Sequence, residues 1–286
     1  MDWFTWIGGG LLGLAVGSFL NVLIHRLPRM LEAQWAAEAR AHAHAHAHAH
    51  AHAHAGHDAI DTPTYNLAWP ASHCPHCHTA LRWTDNIPVL SYLFLRGRCR
   101  TCQAPIGWRY LAVELLTSAL FVGCFARHGL SMSALAWAGF ASALLALAAI
   151  DADTTLLPDA ITQPLVWAGL LAAAGQLSGQ SLTDALWGAV AGYLFLWSVY
   201  WLFKLLTGKE GMGQGDFKLL AALGAWLGWP ALVSLVLIAS LTGVAGGLLL
   251  RARGQLGEDG YIPFGPFLAF AGLWVMVWGP LPGLQL

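Results

Sequence analysis

Eight apolar runs separated by short polar segments constrain this chain more than any other feature. Hydrophobic residues make up 57% of its 286 residues and charged residues only 10%, whereas soluble domains carry about 25% charged residues. Such a chain could not cover a water-exposed surface, which excludes an ordinary cytosolic enzyme and a disordered chain. Most runs approach the roughly 20 residues that a tilted helix needs to cross a bilayer. We predict an all-α polytopic membrane protein with about eight transmembrane helices, at approximately Trp3–Ile24, Tyr110–Phe125, Ser131–Ile150, Ala160–Leu177, Ala185–Phe203, Phe217–Trp229, Pro230–Leu250 and Ile262–Trp278.

The basic residues predict how these spans are oriented. If the chain starts outside, eight spans place nearly every Lys and Arg on the cytoplasmic side, and Arg127 is the exception among 14. We therefore predict a first span over residues 1–25, a cytoplasmic insert over 26–109, and a membrane domain of seven spans over 110–286. The first run lacks a basic start and a small-residue cleavage site, so we expect a retained span rather than a signal peptide. A net charge of −1 predicts no bulk attraction to nucleic acid.

Two CxxC pairs in the insert predict a metal site. Four thiolates can close a tetrahedral shell around Zn²⁺, which makes such a site structural rather than catalytic and would fold a small insert with little core. Two reduced cysteine pairs without metal are the alternative. Nearby His73, His76 and His78 could replace a thiolate, and Cys124 lies inside a span as a small packing residue. The predicted zinc-ribbon-like ligands are Cys74, Cys77, Cys99 and Cys102.

A strict Ala-His alternation occupies residues 41–55 and is followed by His57. An extended chain would place these imidazoles on one face, where they could bind Zn, Ni or Cu weakly. The other interpretation is a solvated, disordered low-complexity repeat. The repeat predicts no activity by itself.

Two carboxylates at the ends of apolar runs are the candidates for chemistry. Asp151 ends the third run and Asp216 begins the sixth, so the predicted topology places both at the cytoplasmic interface. Two neighbouring carboxylates share a proton, so one can act as a base toward water while the other polarises a peptide carbonyl. Both residues could instead be ordinary helix-end residues, with Asp216 as an N-cap.

The residues around this pair are predicted to support the loops that receive a substrate. Gly213 and Gly215 would let the backbone approach an extended substrate and adopt unusual torsions. Asp159 follows Pro158 as a cap or turn residue, and Lys218 flanks the second loop. We assign Gly213, Gly215, Lys218 and Asp159 to this supporting role.

Several stretches together give the chain a family resemblance. They are Gly17–Pro28, the two CxxC pairs with Trp83–Pro88 between them, Ile150–Asp159, Gly213–Lys218 and Ile262–Pro266. With these stretches the chain resembles the bacterial type IV prepilin peptidases, also called leader peptidase/N-methyltransferases, which are GxGD-type intramembrane aspartic proteases. GxGD alone would be weak, but the matching stretches span nearly the whole chain.

The resemblance implies a function. Such proteins lie in the bacterial inner membrane and cut the short basic leader from prepilins and pseudopilins just before their hydrophobic helix. Many also methylate the new N-terminal residue with S-adenosylmethionine. Carried onto this chain, the catalytic pair is Asp151 and Asp216, and the cysteine-containing insert looks like the part associated with methylation. No residue is assigned to the methyl donor, and the Ala-His tract departs from the family pattern.

Three other functions remain open on the sequence. The chain could be a protease without methyltransferase activity. It could be a metal-ion transporter, although a carrier needs polar groups near the bilayer midplane, whereas these acids cluster at one interface. It could also be a non-enzymatic assembly scaffold, which would tolerate the loss of both aspartates.

Overall fold

The computed structural model describes residues 3–49, 65–209, 211–254 and 262–283. Within these ranges the chain folds into α-helices, two short 3₁₀ turns and no β-sheet. The predicted all-α class is therefore confirmed. The helices are α1 (Trp3–Ala49), α2 (Leu90–Phe94), α3 (Trp108–His128), α4 (Met132–Thr154), α5 (Asp159–Ala174), α6 (Leu182–Thr207), α7 (Gln214–Leu227), α8 (Leu232–Ala252) and α9 (Gly265–Trp278).

Five segments of the described chain are long and apolar enough to cross a bilayer, within α1, α3, α4, α6 and α8 with its preceding turn. This makes the protein a membrane protein. α9 is apolar but shorter, and α5 and α7 have only 16 and 14 residues. Each predicted apolar run corresponds to one helix, but the count of eight crossings stays a prediction.

Helix α1 extends far beyond the first predicted span. It continues through Pro28 and through the first part of the Ala-His tract to Ala49. The extended or disordered tract that we expected is therefore wrong for residues 41–49, where alternating alanines supply the best helix-forming residue. Residues 50–55 and His57 lie outside the described residues. The helix shows no break at residue 26, and the cytoplasmic placement of the insert stays a prediction.

The short helix α7 lies at the centre of the membrane domain. All its residues from Leu219 to Leu227 are buried, because α5, α6 and α9 pack around it. Gly188 of α6 faces Gly224 of α7 so closely that a Cβ on Gly188 would lie 2.2 Å from the carbonyl oxygen of Gly224. Only a pair of glycines permits this contact, and close backbone approach is how helices associate in lipid.

Helix α9 packs against both α4 and α7. At its midpoint, a Cβ on Gly272 would meet Leu223 of α7 at 2.4 Å and Leu144 of α4 at 3.0 Å. The first turn of α9 is thereby held beside the ends of α4 and α7 that carry the candidate aspartates.

Candidate active site and candidate metal centre

Helices α4 and α7 bring Asp151 and Asp216 to the same end of the domain. Asp151 lies in the last turn of α4, and Asp216 lies in the first turn of α7. The Phe140 ring of α4 stacks on Trp226 of α7 with ring centroids 4.8 Å apart. Each aspartate is about three helical turns from that ring contact. The two carboxyl groups are close enough to interact electrostatically, so the predicted pair is brought together although its catalytic role is untested.

Asp151 is held by the start of α9. Its side chain is buried, with a residue exposure of 4%. The backbone N–H of Gly265 donates a hydrogen bond of 2.9 Å to Oδ2 of Asp151. A Cβ on Gly265 would lie 2.6 Å from the same oxygen, so only glycine permits this geometry. We predicted no role for Gly265 from the sequence, although it belongs to the matching stretch Ile262–Pro266.

Asp216 is equally buried, with 3% of its surface exposed. Among the described residues its Oδ1 has no hydrogen-bond partner. A buried polar atom without a partner costs free energy and is typical of sites that a substrate or a water completes. The alternative that Asp216 is the N-cap of α7 is wrong, because the N-cap is Gly213 and Asp216 is the third residue of the helix.

Leu157 lies beside both Gly215 and Gly265, the glycines next to the two aspartates. A Cβ on Gly215 would lie 2.6 Å from Cβ of Leu157, and a Cβ on Gly265 would lie 3.1 Å from its Cδ2. Gly215 is therefore needed for space. The unusual torsions that we expected are wrong: Gly213 has φ −75° and ψ 147°, which any residue adopts, and Gly215 does not have a positive φ.

Asp159 and Lys218 form an ion pair beside this site. The Lys218 Nζ lies 2.6 Å from Oδ1 and 2.7 Å from Oδ2 of Asp159. The pair joins the start of α5 to the first turn of α7, next to Asp216. Asp159 is half exposed, so the pair adds little stability and acts mainly on loop position.

Asp153, two residues after Asp151, pairs with α3. Arg109, at the start of α3, donates a hydrogen bond to Asp153 and another to the carbonyl of Ala149. These bonds join the start of α3 to the last turns of α4. Both side chains remain partly exposed.

The four predicted cysteines form one cluster. Their sulfur atoms all lie within 4.8 Å of one another, with Cys74 to Cys102 at 3.8 Å and Cys77 to Cys99 at 4.0 Å. Four sulfurs at about 2.3 Å from a tetrahedral Zn²⁺ would be roughly 3.8 Å apart. The cluster therefore fits a metal ion.

The two CxxC segments adopt the same local fold. The N–H of Cys74 donates to the carbonyl of Thr79, and the N–H of Cys99 donates to Ala104, five residues on in each case. The fourth residue after each first cysteine has a positive φ, at His78 and Gln103. His73, His76 and His78 lie outside the sulfur cluster. Thr79 lowers the pKa of the Cys77 thiol to about 6 through its side chain and backbone, which favours a thiolate ligand.

A few polar contacts attach this cysteine region to the membrane helices. The buried Arg26 of α1 donates hydrogen bonds to the carbonyl groups of Asn66, Leu67 and Pro70. Glu114 of α3 accepts a hydrogen bond of 2.8 Å from the backbone N–H of Val89. No sequence pattern indicated the role of Arg26.

Comparison with known proteins covers most of the chain. A family model described as Bacterial Peptidase A24 N-terminal domain matches residues 11–128. A second, described as Type IV leader peptidase family, matches residues 138–248. Together they include both CxxC pairs and both aspartates.

Curated relatives are similar over nearly the full length. A protein of Burkholderia pseudomallei strain 1026b is 52% identical over 270 residues, which cover 94% of this chain and 84% of the relative. Proteins of Aeromonas hydrophila (51% over 270 residues) and Pseudomonas aeruginosa strain PAO1 (52% over 272) are matched over 94% of this chain and 89% of their own length. Each is named prepilin leader peptidase/N-methyltransferase. No solved structure matches the chain.

Proposed function

Because the chain belongs to the type IV leader peptidase family, we propose that it cleaves the leader peptides of prepilins and pseudopilins with Asp151 and Asp216. The observation that carries this proposal is the convergence of two buried carboxyl groups from α4 and α7 at one end of the membrane domain. The unpartnered Oδ1 of Asp216 supports it, because this atom can hold the attacking water.

The proposed hydrolysis needs only the two carboxyl groups and water. One carboxylate takes a proton from the water as the water oxygen attacks the peptide carbonyl carbon, and the protonated partner gives its proton to the carbonyl oxygen. The C–N bond then breaks as the first carboxyl group passes the proton from the water to the nitrogen, and the second recovers a proton from a hydroxyl group of the tetrahedral intermediate. The Gly265 N–H holds one oxygen of Asp151 in place throughout, and Lys218 with Asp159 positions the first turn of α7.

The location of the site agrees with such a substrate. A prepilin has a basic leader in the cytoplasm and an apolar helix in the bilayer, so its scissile bond lies near the interface. We propose that the chain lies in the bacterial inner membrane with the insert and both aspartates toward the cytoplasm. The distribution of Lys and Arg supports this orientation.

We also propose that the chain methylates the new N-terminal residue, as the names of its relatives imply for them. S-adenosylmethionine would supply the methyl group. The four cysteines would hold Zn²⁺ as a structural ion, because their sulfur separations suit a tetrahedral shell without an open position. The residues that bind the methyl donor stay unassigned.

The test is to incubate the purified full-length protein with a prepilin and S-adenosylmethionine and to measure the product mass. Loss of the leader mass demonstrates cleavage, and the added mass of one methyl group demonstrates the second activity. Asp151→Asn and Asp216→Asn should each reduce cleavage by about 10³-fold or more, because each removes one partner of the acid–base pair.

Asp153→Asn is the matched control, since it removes a partly exposed carboxylate two residues from Asp151. It should retain most of the activity. If either Asp151→Asn or Asp216→Asn cleaves as fast as the unaltered protein, the two-aspartate mechanism is wrong. A metal-ion carrier or a scaffold would give an unchanged prepilin mass with every variant.

A further inference from the structure

A groove lies between α8 and the start of α9. Its cavity measures about 510 Å³, within the range of ligand-binding clefts. Its walls are apolar apart from Ser240 and Arg251. Val244 and Leu248 of α8 line it while each remains 63% exposed, so these apolar side chains are not used to pack the protein itself.

The groove begins next to the proposed catalytic pair. Phe264 lines the groove, and the next residue, Gly265, donates its N–H to Asp151. From this end the lining of α8 runs from Arg251 to Ser240, about three helical turns. The groove therefore leads from the aspartates toward the opposite end of the membrane helices.

A second cavity of about 520 Å³ lies at the other end of the domain. It is lined by the C-terminal parts of α3 and α9, including Arg127, His128 and Val277. Since Asp151 and Asp216 lie at the opposite ends of α4 and α7, this cavity cannot receive residues next to the scissile bond.

We propose that the α8–α9 groove binds the apolar helix of the substrate, immediately after the scissile bond. This inference rests on the proposed function and adds a substrate-binding site to it. A segment that is cut beside Asp151 and continues as an apolar helix must run from the aspartate end along the membrane helices, and the groove has that starting point and direction.

The chemistry of the groove suits this occupant better than it suits the leader. Val244, Leu248, Ile262 and Phe267 give the groove an apolar wall, which suits an apolar helix. Arg251 stands at the end nearest the aspartates, where its positive charge repels a basic leader and keeps it out of the groove.

Photo-crosslinking tests the site directly. A benzoylphenylalanine at position 248, in a full-length protein that also carries Asp216→Asn to prevent turnover, should capture a full-length prepilin. The control places the same group at Leu249. This neighbour is 52% exposed and lies at the same depth but does not line the groove. Equal capture at both positions, or capture of lipid alone at position 248, would overturn the proposal.

A kinetic test uses a tryptophan to fill the groove. Leu248→Trp should raise KM for a full-length prepilin about tenfold with a small change in kcat, the pattern of lost substrate binding. Leu249→Trp should leave both constants unchanged. A short soluble peptide that spans the cleavage site but lacks the apolar helix should be cut equally by both variants.

These results separate the groove from the catalytic assignment. If Leu248→Trp slows the short peptide as much as the full substrate, the damage lies at the aspartates and the groove proposal is wrong. If Asp216→Asn remains active, the catalytic assignment fails, while crosslinking at position 248 in the otherwise unaltered protein still decides whether the groove holds the substrate.

Discussion

The cysteine region and the aspartate site differ in how much apolar surface they bury. Between residues 65 and 107 the only buried apolar side chains are those of Cys74 and Cys99, while Trp83 and Phe94 are among the most exposed aromatic residues of the described chain. The aspartate site lies at the start of α7, whose residues from Leu219 to Leu227 are all buried. One region has four clustered cysteines and a few polar contacts, and the other relies on close helix packing.

This difference predicts which kinds of substitution should disturb each region. A region with so little core would depend on metal ligands, because metal binding would supply most of its folding free energy. A site held by close packing depends on the space at single positions, because packed helices do not yield to an added methyl group. Loss of a ligand should therefore unfold the cysteine region and leave the aspartates in place, and a packing change should do the reverse.

The largest expected effect is the loss of one sulfur ligand. Cys74→Ser should abolish metal binding and unfold the cysteine region, since a structural Zn²⁺ site contributes on the order of 10 kcal/mol. Metal content of the purified protein and limited proteolysis of the region measure this. Methylation should fall more than leader cleavage.

Cys124→Ser is the control, because Cys124 is buried in α3 away from the cluster and should keep the full metal content. If Cys74→Ser stops cleavage as completely as Asp216→Asn does, the two regions are not independent and the comparison is wrong.

The next effect comes from a single methyl group at the aspartate site. Gly265→Ala would place a Cβ 2.6 Å from Oδ2 of Asp151, so the carboxyl group must move. We expect leader cleavage to fall roughly 10- to 100-fold, as misplaced catalytic groups do, with unchanged metal content. Gly139→Ala, on the same helix as Asp151, has open space at its Cβ and should be fully active. Equal activity of the two variants would show that Asp151 tolerates displacement.

A smaller effect is expected at the contact between the cysteine region and α1. Arg26→Met leaves the carbonyl groups of Asn66, Leu67 and Pro70 without their donor, at a cost of about 2 kcal/mol. Hydrogen exchange should become faster in residues 65–70 while the membrane helices are unchanged. Arg40→Met, which removes a bond within α1 only, should leave the exchange of these residues as it was. A loss of exchange protection in α4 or α7 would contradict the separation of the regions.

The smallest effect concerns an ion pair inside the cysteine region. Arg100 donates to Asp85 at 2.6 Å and lowers the pKa of this carboxyl group. The Asp85 side chain is only 5% exposed but that of Arg100 is 49% exposed, so solvent screens the pair from the Arg100 side and Asp85→Asn should lower local stability only slightly. The difference from the unaltered protein, measured as the rate of metal release to a chelator, should shrink further in 1 M salt. A large, salt-independent difference would mean that Asp85 has a structural role beyond the ion pair.

Much of the architecture could be predicted from the sequence. The apolar runs predicted the helices because lipid forces a spanning chain to satisfy its backbone internally. The extent of α1 could not be predicted by the same argument, since its continuation past residue 25 depends on helix propensity and on packing of Leu27 against α3 and α4 rather than on hydropathy. The Ala-His tract was misread for the same reason.

The candidate site was predicted only in part. Asp151 and Asp216 can be recognised because a carboxylate at the edge of the bilayer costs free energy, so its presence indicates a function. Leu157 and Gly265 cannot be recognised in this way, because an apolar residue and a glycine are common anywhere in a membrane protein. Their roles depend on distances between segments more than 40 residues apart in the chain, which periodicity cannot supply.

By itself the sequence determined the chemistry that was available: apolar helices, four thiols in two pairs and two acids at helix ends. These follow from composition and local spacing, because each depends on neighbours along the chain. Only the tertiary structure decided which groups meet, because this depends on how separate helices pack. Helix packing determines the burial of the aspartates, the contact of Gly265 with Asp151 and the groove between α8 and α9.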